Sequence, residues 1–399
     1  MEPHVQTMVH GGNMKLLIVG VGNGGCNTVQ TMARLWPDGP KMAAVNTDQR
    51  ARSEPVNLEV ITVGEKILKG MGSSGDPRLA LHAAESDIPR LRNLFEGATL
   101  VIFAVGLGGG TGSGITPLLV EEAKKAGALT LCFVMFPFDF EGGRRREQAE
   151  RGLQAIRDLA DGVVCMHNQR LSALVDDKAN VQDAFRKAET ALAGGIREFW
   201  RVLNSSPIIN FDFADLRAFL QKSSGNCIFC CAEGSGEGRI ETVLEGIKKN
   251  ALLNNGRSLA DADSFVICII GGPDLSISDI ENIVNGITAF GNRDAHTMTG
   301  VGCEPAWNQT IHVTILAAEK NSVAQGAPIR QMQQHASDHE DADSSAPPSS
   351  DMVQTGLFDV VDQGRFKGVT PTIIDGNNLD IPTFIRRRIH VQKAKIANI

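Results

Sequence analysis

The segment at residues 106–114, with the sequence GLGGGTGSG, has the composition of a site that binds an anion. An apolar run at residues 100–105 precedes it, and an alanine- and leucine-rich run at residues 115–126 follows it. A strand, a glycine turn and a helix in this order present bare backbone N–H groups and a helix N-terminus to a negatively charged ligand. Thr111 and Ser113 add hydroxyl donors that can also cap the helix. The segment contains no lysine, unlike the GxxxxGKS phosphate loop, and its flanks argue against a flexible linker.

Two further glycine loops follow predicted strands. Gly20, Gly22 and Gly25 match the pattern GxGxxG, and Asp48 lies 23 residues beyond Gly25, which fits a dinucleotide-binding fingerprint. Residues 70–77 form the third loop, with the sequence GMGSSGDP. The fingerprint alone leaves a plain tight turn and an NAD enzyme open as alternatives. A dinucleotide pyrophosphate does not require three such loops, whereas a triphosphate offers more anionic oxygens for them to surround.

Glu141 and Arg145 are four residues apart at the start of a predicted helix, beside Arg144 and Arg146. The simpler interpretation is a surface i,i+4 ion pair, which contributes little to stability. The two side chains follow the carboxyl end of a predicted strand, and this position favours a ligand role. Arg145 would then contact a phosphate or a base, and Glu141 would accept hydrogen bonds from ribose hydroxyl groups.

Asn210, Asp212 and Asp215 are grouped in one short predicted loop after a helix. Asp and Asn in such positions are often only turn formers or helix caps. Their chemistry also suits the positioning of a water molecule or a cation beside a phosphate, because phosphoryl transfer depends mostly on orientation and control of charge.

Two patterns that resemble metal sites are discounted, and no metal ligand is assigned. Cys227, Cys230 and Cys231 lie in an apolar strand run, and no second CxxC or His pair follows at zinc-finger spacing. Buried core cysteines are therefore the favoured interpretation. His335 and His339 are four residues apart in an acidic segment that offers a metal no scaffold.

The composition indicates a globular protein in a reducing compartment. The formal net charge of −7 over 399 residues argues against nucleic-acid binding, which depends on Lys and Arg neutralising phosphates. Eight irregularly spaced cysteines argue against a disulfide framework. No apolar run approaches the roughly 20 residues of a membrane span, and residues 1–13 lack the apolar core of a signal peptide. A cytoplasmic protein without direct membrane insertion is expected.

The elements that must position these residues alternate between strands and helices. Strands are predicted at residues 15–19, 42–45, 59–63, 100–105, 128–135 and 162–166, and helices at residues 28–35, 78–85, 115–126 and 141–159. The strands end in loops of Gly, Asn, Thr or Asp, a pattern that predicts a Rossmann-like, doubly wound parallel α/β sheet. In such a sheet the ligand lies outside the carboxyl ends of the strands, where these loops fall.

The chain is predicted to contain two folded domains and several flanking segments. Residues 1–14 are a disordered N-terminus, 15–179 the ligand-binding domain, 180–203 a long central helix, 204–321 a smaller α/β C-terminal domain, 322–373 a disordered linker and 374–399 a C-terminal peptide. Within the smaller domain, strands are predicted at residues 227–232, 264–270 and 310–317, and helices at residues 239–248 and 276–289. The C-terminal peptide is apolar and basic from Leu379 to Arg388. Its composition favours docking in a groove of another protein over a frayed basic tail.

Six motifs together resemble FtsZ, the family of bacterial tubulin homologues that polymerise at the division site. They are GVGNGGCN at residues 20–27, NTD at 46–48, GLGGGTGSG at 106–114, PFDFEGGRRR at 137–146, NFDFADLR at 210–217 and LDIPTFIRR at 379–387. The similarity covers roughly residues 15–319 in order and resumes at the C-terminal peptide.

This resemblance implies a tubulin-like GTPase that uses GTP, GDP and Mg²⁺ and assembles head to tail with itself. The residues that would hold the nucleotide are Gly22, Asn23, Gly24, Gly25, Cys26, Asn27, Asn46, Asp48, Gly72, Ser73, Ser74, Gly108, Gly109, Gly110, Thr111, Gly112, Glu141, Arg145, Asn168, Phe185 and Thr190. Asn210, Asp212 and Asp215 would reach the γ-phosphate in the adjoining subunit and help to polarise the attacking water. Such a contact does not close, so it generates a filament. The segment from Leu379 to Arg388 would bind membrane-tethering division proteins at mid-cell.

Two positions depart from the family pattern. Glu189 and Thr190 replace the usual Asn-Asp pair on the central helix, whose Asp contacts guanine, and Glu189 would have to substitute as the acceptor. Residues 168–171 are NQRL where many relatives have NDKL. Two alternative functions stay open. One is an NAD-dependent oxidoreductase, and the other is an FtsZ-like regulator that does not hydrolyse its nucleotide, against which the intact Asp212 and Asp215 argue.

Overall fold

The computed structural model describes residues 14–49, 57–171, 181–204, 209, 212–222, 225–250, 253, 257–292, 295–319, 373–374 and 377–378. The strands of its main sheet are β1 (Leu16–Val21), β2 (Lys41–Asn46), β3 (Leu58–Thr62), β4 (Leu100–Gly106), β5 (Leu129–Phe136), β6 (Gly162–His167), β7 (Gly225–Ser235), β8 (Ala262–Gly271), β9 (His296–Cys303) and β10 (Thr310–Glu319). Across the sheet these strands follow the order β3-β2-β1-β4-β5-β6-β7-β10-β8-β9.

The described helices flank this sheet. They are α1 (Gly22–Leu35), α2 (Glu65–Leu68), α3 (Pro77–Ala84), α4 (Ile88–Leu94), α5 (Gly110–Lys125), α6 (Gly143–Arg157), α7 (Asn168–Leu171), α8 (Val181–Asn204), α9 (Phe213–Lys222), α10 (Arg239–Lys248), α11 (Arg257–Ala260) and α12 (Ile277–Phe290). Short 3₁₀ turns occur at Glu85–Asp87, Asp139–Glu141 and Pro305–Trp307. No described helix is both long enough and apolar enough to cross a membrane.

The sheet is parallel from β3 through β7, and β10 runs antiparallel to both of its neighbours. The two parts of the sheet meet where β6 pairs with β7, at residues 162–164 and 225–227. The central parallel strands are buried along almost their whole length, as expected when helices cover both faces. The predicted parallel α/β architecture is confirmed.

Each face of the parallel sheet has its own apolar core. Along β1, Leu16 and Ile18 belong to the core beneath α1 and α8, while Leu17 and Val19 belong to the core beneath α3, α4, α5 and α6. This alternation follows from the two-residue period of a strand. A third core fills the region among β8, β10, α10 and α12.

The long helix α8 joins these parts. Its buried residues Leu192, Ile196, Phe199 and Leu203 recur at the spacing of one helical face. The helix packs against α1 and against the strands β7, β8, β9 and β10. One helix therefore contacts both the parallel and the mixed part of the sheet.

Three predicted helix starts are wrong. Helix α1 begins at Gly22 rather than at residue 28, and α5 begins at Gly110 rather than at residue 115. Glycine has a low helix propensity, but tertiary packing outweighs it here. A Cβ atom on Gly25 would lie 2.0 Å from the carbonyl oxygen of Ala104, so only glycine allows α1 to lie this close to β4. Helix α6 begins at Gly143 rather than at residue 141, after a 3₁₀ turn.

Several elements are absent from the sequence prediction. Strand β9 has the sequence HTMTGVGC, which lacks an apolar run because β9 is a partly exposed edge strand. Helix α9 begins at Phe213, inside the segment predicted as a loop. Helix α4, which follows α3 after a 3₁₀ turn, lies in a segment to which the sequence analysis assigns no element.

The chain divides into two compact units, residues 1–327 and 328–399. In the second unit the described residues form a hairpin of β11 (Ile373–Ile374) and β12 (Asn377–Asn378). The remaining residues of the predicted linker and C-terminal peptide lie outside the described part of the chain, as do residues 1–13. The boundaries of the predicted domains stay predictions.

Candidate functional site

A cleft of about 720 Å³ opens at the carboxyl ends of β1, β2, β4, β5 and β6. This is the edge of the sheet at which the sequence predicts a ligand. The residues that line it are Gly22, Asn23, Gly24, Asn27, Gln30, Thr31, Arg34, Asn46, Thr47, Asp48, Met71, Gly72, Ser73, Ser74, Gly75, Gly106, Leu107, Gly109, Gly110, Thr111, Gly112, Met135, Pro137, Glu141, Arg145, Asn168, Gln182, Arg186 and Glu189.

One end of the cleft, here called the glycine end, consists of residues 22–24 and 109–112. Helices α1 and α5 both begin there, and among the described residues no side chain caps either N-terminus. The first N–H groups of a helix have no partner within the helix, and the helix dipole adds a partial positive charge. Two such N-termini at one place form a site for a polyanion.

Glycine is required at this end for two different reasons. Gly22 has φ +71°, a conformation that other residues rarely adopt. Gly112 lies so close to β4 that a Cβ atom would be 2.0 Å from the carbonyl oxygen of Gly106. By contrast, a Cβ atom on Gly109 would meet nothing within 4 Å. The glycines of the motif thus differ in what they contribute.

Hydrogen bonds connect the loops around the glycine end. The Thr47 and Thr111 hydroxyl groups share a bond of 2.7 Å, which joins the loop after β2 to the start of α5. Asn46 Nδ2 donates to Asn23 Oδ1 at 2.7 Å, which joins the end of β2 to α1. The amide of Gln148 donates to two carbonyl oxygens, those of Gly75 at 3.0 Å and Gly108 at 3.1 Å. These bonds hold the loops in fixed relative positions.

Glu141 and Arg145 form an ion pair at the edge of the cleft. Glu141 ends a 3₁₀ turn, where its Oε1 atom accepts a hydrogen bond of 2.9 Å from the backbone N–H of Phe138. Arg145 lies in the first turn of α6 and its side chain is 58% exposed. The ion pair expected from the spacing is therefore present, and both side chains also line the cleft. Their ligand roles stay predictions.

The opposite end of the cleft, here called the side-chain end, lies between α1 and α8. Residues Gln30, Thr31 and Arg34 come from α1, and residues Gln182, Arg186 and Glu189 come from α8. Thr31 Oγ1 donates a hydrogen bond of 2.9 Å to Glu189 Oε2, and burial raises the pKa of the Glu189 carboxyl group. A rise of about 1.5 Å per residue puts Arg34 about 15 Å along α1 from Gly24, a span that suits an elongated ligand.

Asn168 is a buried polar residue on the cleft wall. It begins α7, which packs against β6 and α8. The side chain is 7% exposed, and its Oδ1 atom has no hydrogen-bond partner among the described residues. A buried carbonyl oxygen without a partner costs free energy, which a ligand with a donor group would recover.

Not all predicted nucleotide-binding residues line the cleft. Gly25 and Cys26 are buried beneath it, and burial raises the pKa of the Cys26 thiol to about 12. Gly108 is also outside the lining, and Thr190 is exposed and outside it. The side chain of Phe185 lies outside the described part of the structure.

The residues of the side-chain end, apart from the departure noted at Glu189, were not found from the sequence. Gln182, Arg186 and Glu189 are spaced i, i+4 and i+7 on α8, which places them on one helical face. That spacing can be read from the sequence, but the sequence does not show that this face of α8 lies opposite Gln30, Thr31 and Arg34 of α1. The pairing of two helices that are far apart in the chain is tertiary information.

Asp212 and Asp215 form a reciprocal cap at the start of α9. Asp212 Oδ1 accepts a hydrogen bond of 2.8 Å from the Asp215 N–H, and Asp215 Oδ2 accepts one of 3.0 Å from the Asp212 N–H. Both residues are exposed and neither lines the cleft. The capping role is therefore present, the catalytic role stays a prediction, and Asn210 lies outside the described residues.

The cysteine-rich strand belongs to the core. Cys227 and Cys230 of β7 are buried, and burial raises the pKa of Cys230 well above its ordinary value. The described residues contain no group of three His, Cys, Asp or Glu side chains suited to a metal ion. The interpretation as core residues is confirmed for Cys227 and Cys230, whereas Cys231 is partly exposed.

Comparison with known proteins assigns the family. Residues 15–176 match the GTPase domain of the Tubulin/FtsZ family, and residues 225–320 match the C-terminal domain of the FtsZ family. The fold and cleft thus belong to the tubulin-like class of GTPases. Within that class, this chain belongs to the FtsZ family of cell-division proteins. This assignment argues against an NAD-dependent oxidoreductase.

The similarity extends over most of the chain. Cell division protein FtsZ 1 of Archaeoglobus fulgidus is 31% identical over 79% of this chain and 84% of its own length. Cell division protein FtsZ of Pseudomonas aeruginosa is 29% identical over 93% of this chain and 96% of its own length. The solved structure of an empty FtsZ dimer from M. jannaschii is 26% identical and has a TM-score of 0.70, covering 78% of this chain and 90% of that one.

Proposed function

We propose that this chain hydrolyses GTP to GDP and phosphate within a filament built from its own copies. The triphosphate would bind the two helix N-termini of the glycine end, where backbone N–H groups and helix dipoles favour anionic oxygens. The nucleoside would extend along α1 towards the side-chain end. Glu141 would accept hydrogen bonds from ribose hydroxyl groups, and Arg145 would neutralise phosphate charge.

The observation that carries this proposal is the position of Asp212 and Asp215. Both carboxylates are exposed at the start of α9, and neither lines the cleft of its own chain. If they orient the attacking water, as the family resemblance implies, they act on a nucleotide held by another copy. A contact between two different faces does not close on itself, so its repetition gives a head-to-tail filament. Hydrolysis would then depend on assembly.

Mg²⁺ is proposed as the companion of the nucleotide. Mg²⁺ usually keeps several waters and takes its remaining ligands from phosphates and one or two protein oxygens, so it needs no protein cage. Asp48 and Thr111 both line the cleft and carry oxygens of the required type. When bound, the ion would neutralise charge on the phosphates.

The remaining parts of the proposal concern the cell. The filament would form in the cytoplasm at mid-cell as part of the division machinery. The segment from Leu379 to Arg388, which lies outside the described residues, would bind membrane-tethering division proteins. Its apolar residues, followed by three consecutive arginines, support docking in an apolar groove with an acidic rim.

The test is GTP turnover at rising protein concentration, with the variants Asp212→Ala and Asp212→Asn. We expect turnover per subunit to rise with concentration. Both variants should still bind GTP and should lose turnover about a hundredfold or more, the range typical for loss of a group that handles a proton or positions a water. Turnover per subunit that stays constant over all concentrations would contradict a site shared between copies.

The Asn variant is the control for folding. Asn caps helix N-termini about as well as Asp, so Asp212→Asn should keep α9 intact while removing the carboxylate charge. Full turnover in Asp212→Asn, with loss only in Asp212→Ala, would assign Asp212 to capping alone. Sedimentation with GTP, GDP and ATP in the same samples would show whether assembly accompanies turnover.

A further inference from the structure

Gln148 of α6 holds two loops of the cleft with a single amide group. Its Nε2 atom donates hydrogen bonds to the carbonyl oxygen of Gly75 at 3.0 Å and to that of Gly108 at 3.1 Å. A side-chain amide has two N–H donors, and these bonds use both of them. Gln148 itself does not line the cleft, whereas Gly75 and residues 109–112 do. It can therefore act on a ligand only through the loops that it holds.

The bond to Gly108 fixes the direction of a backbone donor. The described residues contain no cis peptide bond, and in a planar trans peptide the carbonyl group and the following N–H point in opposite directions. Because the Gly108 carbonyl faces α6, the N–H of Gly109 points away from α6, and Gly109 lines the cleft. The bond thus keeps a main-chain donor directed towards a ligand.

Residues 72–75, here called the serine loop, have a backbone that needs support from other elements. The φ angles of Gly72, Ser74 and Gly75 are +76°, +50° and +78°. Glycine adopts such angles readily, but for a serine they are unfavourable. A backbone of this kind persists only where the surrounding structure determines it. The hydrogen bond from Gln148 to Gly75 is one such contact, and it comes from a different helix.

The serine loop also touches the glycine end of the cleft. Ser73 is 4% exposed, and a Cβ atom on Gly110 would lie 2.2 Å from its Oγ atom. The N–H of Asp76 donates to the Ser73 carbonyl oxygen at 2.9 Å, which closes the loop as a turn. The loop and the start of α5 therefore meet without space between them, so a shift of the loop changes the wall of the glycine end.

The order of the strands determines which part of a nucleotide reaches the serine loop. The loop comes after β3, at one edge of the sheet, and the adjacent Met71 forms a bridge with Asp48 after β2. Asn168 follows β6, on the other side of β1 and β4, and its helix α7 packs against α8. In the proposed orientation the base lies towards α8, so the last phosphate lies towards the serine loop.

We propose that Gln148 is a positioning residue for the terminal phosphate of the nucleotide. By holding the serine loop and the Gly108 peptide with one amide, it sets the space and the donors that this phosphate meets. The phosphates nearer to the nucleoside bind the N-termini of α1 and α5, which do not need Gln148. A triphosphate therefore depends on Gln148 more than a diphosphate does. This inference rests on the proposed hydrolysis of GTP and adds to it a residue outside the cleft.

The test compares Gln148→Met with the control Gln154→Met in the full-length protein. Methionine matches glutamine in length but donates no hydrogen bond. Gln154 is an exposed residue of the same helix, and its amide donates to Asp158 at 2.8 Å, within α6 and its cap. Dissociation constants for GTP and GDP are measured by competition against a fluorescent GTP analogue, below the concentration at which the protein sediments.

We expect Gln148→Met to weaken GTP about tenfold more than GDP, because hydrogen bonds to a charged phosphate are lost when the loop shifts. GTP turnover per subunit should fall as well, at concentrations where the wild type assembles. Gln154→Met should keep the wild-type ratio of GTP to GDP affinity. Unfolding of part of a sample lowers both apparent affinities by the same factor, so it does not change this ratio.

Equal weakening of GTP and GDP by Gln148→Met, or no weakening of either, overturns the inference. Gln148 would then support the cleft as a whole or not at all. A change of the ratio in Gln154→Met as large as that in Gln148→Met overturns it too. A wild-type protein that binds neither nucleotide would instead contradict the proposed function itself, and the inference with it.

Discussion

The two ends of the cleft are built on different principles. The glycine end has main-chain N–H groups at two helix N-termini, and its residue Gly112 approaches β4 too closely for a side chain. The side-chain end uses polar groups from α1 and α8, and the hydrogen bond between Thr31 and Glu189 links the two helices. The difference teaches that one cleft can offer a ligand two kinds of contact, backbone donors at the glycine end and side-chain groups at the side-chain end.

The departures from the family pattern agree with this division. The glycine motifs that resemble FtsZ form the glycine end, where substitution of Gly112 would require the backbone to move. Glu189 and Thr190, where the sequence departs from the pattern that the resemblance implies, lie on α8, where Glu189 is partly exposed and Thr190 is exposed. Three predictions test how far the two ends differ, from the largest expected effect to the smallest.

The largest effect is expected from Gly112→Ala at the glycine end. The added methyl group would lie 2.0 Å from the carbonyl oxygen of Gly106, so α5 would have to move away from β4. We expect loss of nucleotide binding together with a lowered melting temperature, measured by ligand titration and circular dichroism. The matched control is Gly109→Ala, whose methyl group meets no atom within 4 Å and which should fold like the wild type. Equal melting temperatures for the two variants would contradict the packing argument.

An intermediate effect is expected from the threonine pair that joins two loops of the glycine end. Thr47 is 1% exposed and Thr111 is 8% exposed, so Thr111→Val leaves a buried hydroxyl group without its partner. We expect a loss of about 1–3 kcal/mol in the free energy of unfolding, measured by urea denaturation of the nucleotide-free protein. The double variant Thr47→Val with Thr111→Val should recover most of this loss, because both polar groups are then absent. If the stability loss of the double variant equals the sum of the losses of the single variants Thr47→Val and Thr111→Val, the two hydroxyl groups do not interact.

The smallest effect is expected on the stability of the nucleotide-free protein when the charge of the Glu189 carboxyl group is removed. Burial raises the pKa of Glu189 above 4.5, so the folded protein holds this proton more tightly than the unfolded chain does. Stability from Glu189 is then highest below that pKa and declines as the pH rises through it. The cationic side chains that line this end with Glu189 are Arg34 and Arg186.

We expect Glu189→Gln to remove this pH dependence, so that the nucleotide-free variant matches the wild type below the pKa and is slightly more stable than the wild type at neutral pH. The change should stay below about 1 kcal/mol, because a partly exposed carboxylate is screened by water. Urea denaturation at several pH values above 4.5 measures it, with Thr190→Val as the control. A variant that is less stable than the wild type at neutral pH would show that the carboxylate supports the empty fold.

The sequence predicted the parallel sheet well because its strands are short apolar runs separated by glycine loops. It failed where tertiary contacts override local preference. Residues 22–27 and 110–114 are helical although glycine has a low helix propensity. Gly25 and Gly112 are needed there because these helices lie very close to β4, and a propensity scale does not include such tertiary contacts. Strand β9 was missed because a partly exposed edge strand carries a weak apolar pattern.

The candidate site was predictable to the extent that it is local in sequence. The loops of the glycine end are contiguous motifs, and most of their residues line the cleft. The wall formed by α1 and α8 joins residues more than 140 positions apart, as the separation of 158 between Thr31 and Glu189 shows. Asp212 caps α9 within its own chain, whereas a catalytic role would require a nucleotide held by a second copy.

Helix α8 has a thermodynamic consequence that follows from its two sets of contacts. Its first turns supply one wall of the cleft, and its later turns bury Leu192, Ile196, Phe199 and Leu203. A rigid helix cannot shift at one end without shifting at the other. A movement of α8 at the cleft would therefore also change how α8 packs against β8 and β10. Linkage is reciprocal: if a bound base changes the affinity of the mixed sheet for a neighbouring molecule, that molecule changes the affinity for the base by the same factor.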